Sequence, residues 1–276
     1  MLDPETLRLL INKAPDLNEV YKDLAQPSFK KAGIALETVM DFCNTTMLPL
    51  RLLNAKANHY FNKSIEGYGK ELENTDESRI TPVPLEIGVP ILEKLTYTTN
   101  ESLRSLFIKL LAKASCADTI QLAHPSFIKV IDSISSDEAN ILNFIAKNPV
   151  YGRLHVIKHR LISKDETFRY ISYHTTKIEF IEEVGLLFPE NCAIYLDNLV
   201  ALGLVEFNYL IDAVPQEEYD NIDALFRDKH ADQIKRDFNS EIHDRIDYEK
   251  GTCEITQLGS MFIEACILDN TSQAHN

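Results

Sequence analysis

A stripe of apolar residues at helical spacing constrains the fold of this 276-residue chain more than any other feature. Its members fall at positions i, i+3, i+4, i+7 and i+8: Leu103, Leu106, Phe107, Leu110 and Leu111. Residues at this spacing share one face of an α-helix, so the segment predicts an amphipathic helix with one buried face. Thr98 and Glu101 have the spacing of a capping box, which predicts that this helix begins just after Thr98.

The helical pattern extends over the N-terminal half of the chain. Residues 28–75 are predicted to form a long helical region that Pro49 kinks, because proline removes a helix hydrogen bond and clashes with the preceding turn. Two further amphipathic helices are predicted after His124 and after Ser135. We therefore expect a helical domain over residues 1–148.

The pattern changes after Pro149, where alternating and β-branched stretches at 153–162 and 167–181 predict strands. Residues 191–202 predict a helix that Gly203 terminates. The predicted elements that follow are, in order, a strand at 204–209, a charged helical insertion at 215–240, a strand near Cys253–Ile255 and a helix at 257–268 with Thr256 as its N-cap.

A helix followed by a strand, an insertion, a strand and a closing helix is the order found in the second half of a winged-helix module. We therefore expect a mainly α fold with a smaller α+β part, in which a winged-helix-like domain over residues 149–270 follows the helical domain. An acidic helical insertion at about 211–250 elaborates its wing. Residues 271–276 are predicted to form a disordered tail.

The net charge of −14 falls mostly on the C-terminal half of the chain. Residues 1–135 carry 15 basic and 17 acidic side chains, a net charge of −2, whereas residues 136–276 carry 13 and 25, a net charge of −12. Such a surface repels polyanions, so we expect neither nucleic acid nor an anionic membrane to bind it. The predicted helix at 191–202 agrees with this, since Asp197 is its one charged residue.

The five cysteines are widely spaced and form no CxxC pair: Cys43, Cys116, Cys192, Cys253 and Cys266. This pattern predicts reduced, buried thiols rather than a zinc ribbon or a disulfide scaffold. Residues 1–5 lack the basic region of a signal peptide, and no run of 18 apolar residues predicts a transmembrane helix. We expect a cytoplasmic protein without cofactor or metal.

The candidate site residues are basic residues and histidines that follow Pro149. In a strand, His155 and His159 would lie about 13 Å apart, from about 3.3 Å per residue, too far to share a metal ion; in a helix both could bind one ion. Arg153, His155, Lys158 and Arg160 form a candidate patch for a phosphate group or a protein partner, because arginine and lysine pair well with acidic groups. A solvated strand face is the alternative interpretation.

Four sequence blocks together resemble the Abi-alpha family of bacterial proteins, which is associated with abortive infection, a defence against bacteriophage. The blocks are KAGIALETVMDFCNTTMLPLRLLNAKA, PLEIGVPILEKLTYTTNESLRSLFIKLLAKAS, HPSFIKVIDSISSDEANILNFI, and LDNLVALGLVEF with the later CEITQLGSMFIEAC. The resemblance covers roughly residues 28–268. It implies a helical domain with a winged-helix-like C-terminal part, and it supplies no catalytic or ligand-binding residues.

Catalytic motifs are missing from the sequence, which contains no GxSxG, P-loop, HxE…CxxC or DxD pattern. We therefore predict a non-enzymatic interaction or sensor protein of an antiphage system that contacts a protein partner. Two alternatives remain open. One is a winged-helix transcriptional regulator that binds DNA, and the other is a toxic effector that acts on a membrane or a cellular target through residues 28–75.

Overall fold

The computed structural model describes residues 30–44, 52, 54–147, 153–164, 168–169, 174–176, 183–209, 216–229 and 231–268. These residues are mainly helical with a small antiparallel sheet, as predicted. They divide into two compact units. Unit 1 contains the described residues of Met1–Ser136 and Met261–Asn276, and unit 2 contains those of Asp137–Ser260.

This division differs from the expected domain boundary at residue 148. The predicted helix after Ser135 belongs to unit 2 from Asp137 onward, and residues 261–268 belong to unit 1. The ring of Phe262 explains the second difference, because it packs edge-on against Phe127, with centroids 5.4 Å apart. The Lys109 ammonium also donates to the Ile267 carbonyl at 2.5 Å. The predicted tail at 271–276 lies outside the described residues.

Five of the described α-helices lie wholly within unit 1: α1 (Lys30–Asn44), α2 (Ala55–Glu71), α3 (Leu85–Leu95), α4 (Glu101–Ala114) and α5 (Ser126–Ser133). The predicted stripe lies on α4, where all its members except the half-buried Leu103 are buried. Helix α1 and helix α2 confirm the helical prediction for 30–44 and 55–71. The predicted kink at Pro49 lies outside the described residues.

The predicted capping box of α4 is wrong. Asn100 is the N-cap, and its side chain accepts a hydrogen bond from the Leu103 N–H at 3.1 Å. The Thr98 hydroxyl instead donates to the carbonyl of Lys94, at the end of α3, at 2.8 Å. The Glu101 carboxylate lies 3.0 Å from the Lys63 ammonium. Thr98 and Asn100 are both residue types that cap helices, and they lie two positions apart. Because Thr98 bonds back to the end of α3, Asn100 is the residue that caps α4.

Unit 2 is built on an antiparallel sheet with strands β1 (Arg153–Ser163), β2 (Phe168–Arg169), β3 (His174–Thr176), β4 (Val205–Asn208) and β5 (His243–Ile255). The long strands β1 and β5 pair along their whole length, from Arg153 opposite Glu254 to Ser163 opposite His243. Strand β4 pairs with the end of β5, and β2 and β3 both pair with β1.

The helices of unit 2 are α6 (Ser136–Lys147, from Asp137), α7 (Cys192–Ala201), α8 (Gln216–Lys229), α9 (Ala231–Asp237) and the first residues of α10 (Gln257–Cys266). The predicted helices near 191–202, 215–240 and 257–268 are confirmed, as are the strands at 153–162 and 204–209. Strand β5 is longer than the predicted strand near 253–255, so the predicted insertion at 211–250 includes its first half. That half alternates charged residues with few apolar ones, which concealed the strand.

Helix α7 and strand β4 are held against the start of α10 by a compact turn. Gly203 has φ +72, a left-handed conformation that ends α7 as predicted. The Thr256 hydroxyl donates to the Gly203 carbonyl at 2.6 Å and accepts from the Gly259 N–H at 2.9 Å, which confirms Thr256 as the N-cap. A Cβ atom on Gly259 would lie 1.9 Å from the Leu204 carbonyl oxygen, so only glycine fits there.

All five cysteines are buried, as predicted, and none of them is part of a disulfide. Burial raises the pKa of Cys253 to about 12 and that of Cys43 to about 11, because the thiolate form loses its hydration. Within the described ranges, every helix is too short or too polar to cross a bilayer.

Candidate interaction surface

The predicted basic patch on β1 does not form a single surface. Arg153 lies at the start of the strand, opposite Glu254. The ring of His155 lies 5.8 Å from that of Tyr219 on α8, whereas the ammonium of Lys158 lies 5.6 Å from the ring centroid of Tyr209, beyond β4. Side chains at odd and even positions of a strand point to opposite faces, so His155 is separated from Lys158 and Arg160.

The charge of Arg160 is already balanced within the sheet, because its guanidinium forms an ion pair with Glu249 of β5. Both side chains are only partly exposed. The patch residues with described side chains therefore contact tyrosine rings or a carboxylate of unit 2 itself. His155, Lys158 and Arg160 therefore all have contacts within unit 2. His155 lies on one face of the sheet, and Lys158 and Arg160 lie on the other.

His155 and His159 lie in a strand, as the alternation of residues indicated, so they cannot share a metal ion. The Nε2 atom of His159 lies 2.8 Å from a carboxylate oxygen of Asp223 on α8. The Phe226 ring stacks on the imidazole with centroids 3.7 Å apart, and the guanidinium of Arg227 donates to Asp223 at 2.7 Å. This cluster fixes α8 to the sheet. Among the described residues, no three His, Cys, Asp or Glu side chains form a group that could hold a metal.

A buried carboxylate at the start of α6 organises a different part of unit 2. Asp137 is 1% exposed, and it accepts hydrogen bonds from the backbone N–H groups of Leu187 and Phe188 at 2.9 and 3.0 Å. The Tyr195 hydroxyl on α7 donates a third bond at 2.9 Å. Gly185, with φ +67, allows the preceding turn. One side chain therefore fixes both the backbone ahead of α7 and the helix itself.

The hydrogen bonds to Asp137 also determine its charge. Burial acts to raise the pKa of this carboxyl, but the two backbone N–H groups and the tyrosine hydroxyl outweigh it and lower the pKa below its usual value. Asp137 is therefore ionised at neutral pH. A neighbouring carboxylate, Glu138, is 3% exposed and accepts from the Asn198 amide at 2.6 Å, which provides a second attachment of α7 to α6.

The backbone that Asp137 holds presents large apolar side chains to solvent. Leu187 is 68% exposed, Phe188 is 56% exposed and Ile194, in the first turn of α7, is 65% exposed. Tyr195, Leu196 and Leu199 of α7 are buried. We call Leu187, Phe188 and Ile194 the 187–194 surface. Large apolar side chains that are exposed close together in sequence are candidates for contact with other molecules.

Acidic side chains accompany the 187–194 surface. Glu190 and Asp197 are exposed, the first between Phe188 and Ile194 in sequence and the second one turn further along α7. From residue 178 to residue 226 the chain contains eleven Asp or Glu and no Lys, Arg or His. The lack of basic residues over this stretch was the feature of the sequence that could have indicated the surface. The apolar residues gave no such indication, because Leu186, Leu187 and Phe188 before a helix could equally be buried.

Comparisons with known proteins agree with the resemblance seen in the sequence. The family described as abortive infection alpha matches residues 55–266. No curated protein matches the chain. A solved structure of an uncharacterized protein from the marine bacterium Alcanivorax borkumensis SK2 is similar over 54% of this chain and 94% of that chain, at 16% identity and a TM-score of 0.35. A likeness this weak carries no argument about fold or function.

Proposed function

Because the chain belongs to the abortive infection alpha family, we propose that it is a non-enzymatic interaction or sensor protein of bacterial antiphage defence. It contacts a protein partner through the 187–194 surface. The observation that carries this proposal is the exposure of Leu187, Phe188 and Ile194 on a backbone that the buried Asp137 fixes.

Preorganisation of the segment favours the proposed contact. An exposed apolar side chain gains free energy when a partner removes it from water, at about 25 cal/mol per Å² of apolar surface. A flexible loop would lose much of that gain to ordering on binding. Here Asp137 holds the N–H groups of Leu187 and Phe188 before any partner arrives, and α7 holds Ile194. The proposed contact therefore needs little rearrangement of this segment.

Phage plating efficiency and survival of infected cultures provide the test. The gene is expressed in its native neighbourhood as wild type, as a Leu187→Ser/Phe188→Ser variant and as an Ile242→Ser control. Ile242 is 47% exposed in the same unit but lies away from this segment in sequence. We expect the double variant to lose protection and the control to keep it. Full protection by a folded, normally expressed double variant would refute the proposal.

The absence of catalytic motifs supports the non-enzymatic part of the proposal, and it can be tested separately. The purified chain is incubated with nucleoside triphosphates, DNA and RNA in the presence of magnesium. We expect no turnover above that of a mock purification. Hydrolysis that a single point substitution abolishes would overturn this part of the proposal.

A winged-helix regulator that binds DNA is the second candidate, because α7, β4, β5 and α10 occur in the appropriate order, with α8 and α9 inserted between β4 and β5. The exposed positions of α7 count against it. They are Ile194, Asp197 and Ala201, which offer no cation for a phosphate and no donor pair for a base edge. A gel shift with random and upstream DNA at low salt separates the candidates, and binding at micromolar protein would favour the regulator.

A further inference from the structure

Helix α8 is attached to the sheet of unit 2 by both apolar and polar contacts. The apolar part is a cluster in which Ile157 of β1 packs with Tyr219 and Ile222 of α8. One turn beyond Tyr219 the attachment becomes polar, between His159 and Asp223. We propose that the His159–Asp223 pair is a pH-sensitive switch, which holds α8 firmly on the sheet when the imidazole is protonated and less firmly when it is neutral.

The imidazole of His159 is enclosed between the helix and the sheet, since its side chain is 3% exposed. Its Nε2 atom lies 2.8 Å from one carboxylate oxygen of Asp223, and the Phe226 ring stacks on it. The other oxygen of Asp223 accepts from the Arg227 guanidinium, which also donates to the Ile246 carbonyl of β5 at 3.2 Å. A hydrogen bond in such an enclosure is little screened by water and salt, so its strength depends on the charge of each group.

The charges around the ring favour the protonated imidazole. Helix α8 contributes the Asp223 carboxylate and the Arg227 guanidinium, and Asp237 at the end of α9 lines the same small cavity as His159. Arg160 also borders this cavity, but a carboxylate of β5 already balances its charge. Two carboxylates and one guanidinium carry a net charge of −1, which an imidazolium neutralises and a neutral imidazole does not.

The groups that β5 places near the ring add no charge to this balance. The ring centroid of Tyr248 lies 6.3 Å from that of His159, and burial together with a hydrogen bond to a carboxylate of α8 raises the pKa of Tyr248 to about 12. The Lys250 ammonium lies 5.5 Å from the ring centroid of Tyr219 instead. Histidine is the side chain that ordinarily titrates near neutral pH, so protonation of His159 changes the charge of the cluster there.

The sign of the pH effect follows from this balance. An imidazolium donates a charge-assisted hydrogen bond to Asp223, roughly twice as strong as the bond from a neutral imidazole. The added stability is present below about pH 6.5, the ordinary pKa of histidine, and is lost as the pH rises above it. Ile157 and the buried Leu161 lie on the face of β1 that α8 covers. A rise in pH therefore makes this apolar face of the sheet more accessible.

Hydrogen exchange of the full chain measures how often α8 opens. The amides of α8 are followed by mass spectrometry at about pH 6 and about pH 8, with each rate corrected for the intrinsic chemical exchange rate, and α4 serves as the internal reference. We expect α8 to be about three- to tenfold more protected at the lower pH, while the protection of α4 changes little.

Two variants assign the effect to the pair, and a third is the matched control. His159→Gln keeps a hydrogen-bond donor but cannot be protonated near neutral pH, so the pH dependence of α8 should disappear. Asp223→Asn removes the carboxylate from the helix side and should abolish it as well, which keeps the test available if His159→Gln does not fold. His155→Gln changes a histidine of the same strand and face, whose ring lies 5.8 Å from that of Tyr219 on α8. The control should keep the pH dependence.

Four results would overturn the inference. The first two are equal protection of wild-type α8 at both pH values and greater protection at the higher pH. The third is a pH dependence that persists in either His159→Gln or Asp223→Asn. The fourth is a pH dependence that His155→Gln abolishes, which would assign the effect to the wrong histidine.

Discussion

Helices α4 and α7 are both rich in apolar residues, yet they place these residues differently. The stripe of α4 is buried, with Leu110 and Leu111 fully inaccessible to solvent. In α7 one face is buried in the same way, but Ile194 is exposed together with the two apolar residues that precede the helix. The difference lies in what fixes each helix. Helix α4 packs through its buried apolar stripe, whereas α7 also forms hydrogen bonds to two buried carboxylates, those of Asp137 and Glu138. When hydrogen bonds help to hold a helix in place, some of its apolar side chains need not pack in the core.

The largest expected effect separates the two sets of apolar residues by their contribution to folding. Leu110→Ala should lower the free energy of unfolding by about 2–5 kcal/mol, because it leaves a cavity in a closed core. Ile194→Ala should change it by less than about 0.5 kcal/mol, since no core contact is lost. Urea denaturation followed by circular dichroism measures both. Similar losses for the two variants would show that Ile194 is part of a core.

The next prediction concerns the carboxylate that holds the 187–194 surface. Asp137→Asn should cost about 2–3 kcal/mol at pH 7, because charge-assisted hydrogen bonds are lost and an amide group faces two N–H donors. Asp197→Asn is the exposed control and should cost less than about 0.5 kcal/mol. Urea denaturation at pH 7 gives both values.

The pH dependence of the same variant has a defined sign. The pKa of Asp137 is lowered in the folded protein, so its ionisation stabilises the fold above the unfolded-state pKa of about 3.9. This contribution is lost as the pH falls from there through the lower folded-state pKa. The difference in stability between wild type and Asp137→Asn should therefore shrink below about pH 4. A difference that stays constant or grows on acidification would contradict the assigned hydrogen bonds.

The third prediction tests how α4 begins. Asn100→Ala should cost about 1 kcal/mol, because the side chain caps the Leu103 N–H. Thr98→Val should cost less, since the Lys94 carbonyl that its hydroxyl bonds also accepts a hydrogen bond from the Thr98 N–H. Unfolding of the two variants in parallel ranks them. A larger loss for Thr98→Val would restore the capping box that the sequence suggested.

The capping error shows which parts of this fold were predictable. The burial of Leu106, Phe107 and Leu110 follows from periodicity alone, because three residues at helical spacing share one face wherever the helix begins. The N-cap depends on where the preceding helix ends, which is a tertiary outcome. Likewise the short hydrogen-bonded turn at Thr256 and Gly203 has strong local signals, whereas the charged first half of β5 becomes a strand because β1 pairs with it.

The 187–194 surface was harder to predict than the core for a related reason. Asp137 and Glu138 follow two serines at the start of a helix, where acidic residues commonly stabilise the helix dipole from an exposed position. Nothing local indicates that both are buried and bonded to residues 50 or more positions away in sequence. The basic residues of β1 led to the opposite error, because they were predicted to form one patch. Neighbouring residues of a strand point to opposite faces of the sheet, so the patch is divided.

The smallest expected effect is the most informative about the 187–194 surface. Leu187→Ser/Phe188→Ser should change the free energy of unfolding by less than about 0.5 kcal/mol, because the exposed side chains leave the backbone bonds to Asp137 intact. Phe107→Ser on the buried stripe is the contrasting control and should lose several kcal/mol. A large loss in the double variant would mean that the two side chains belong to the folding core. A small loss would show that fold stability does not require these two side chains, so that they stay available for the proposed contact with a partner.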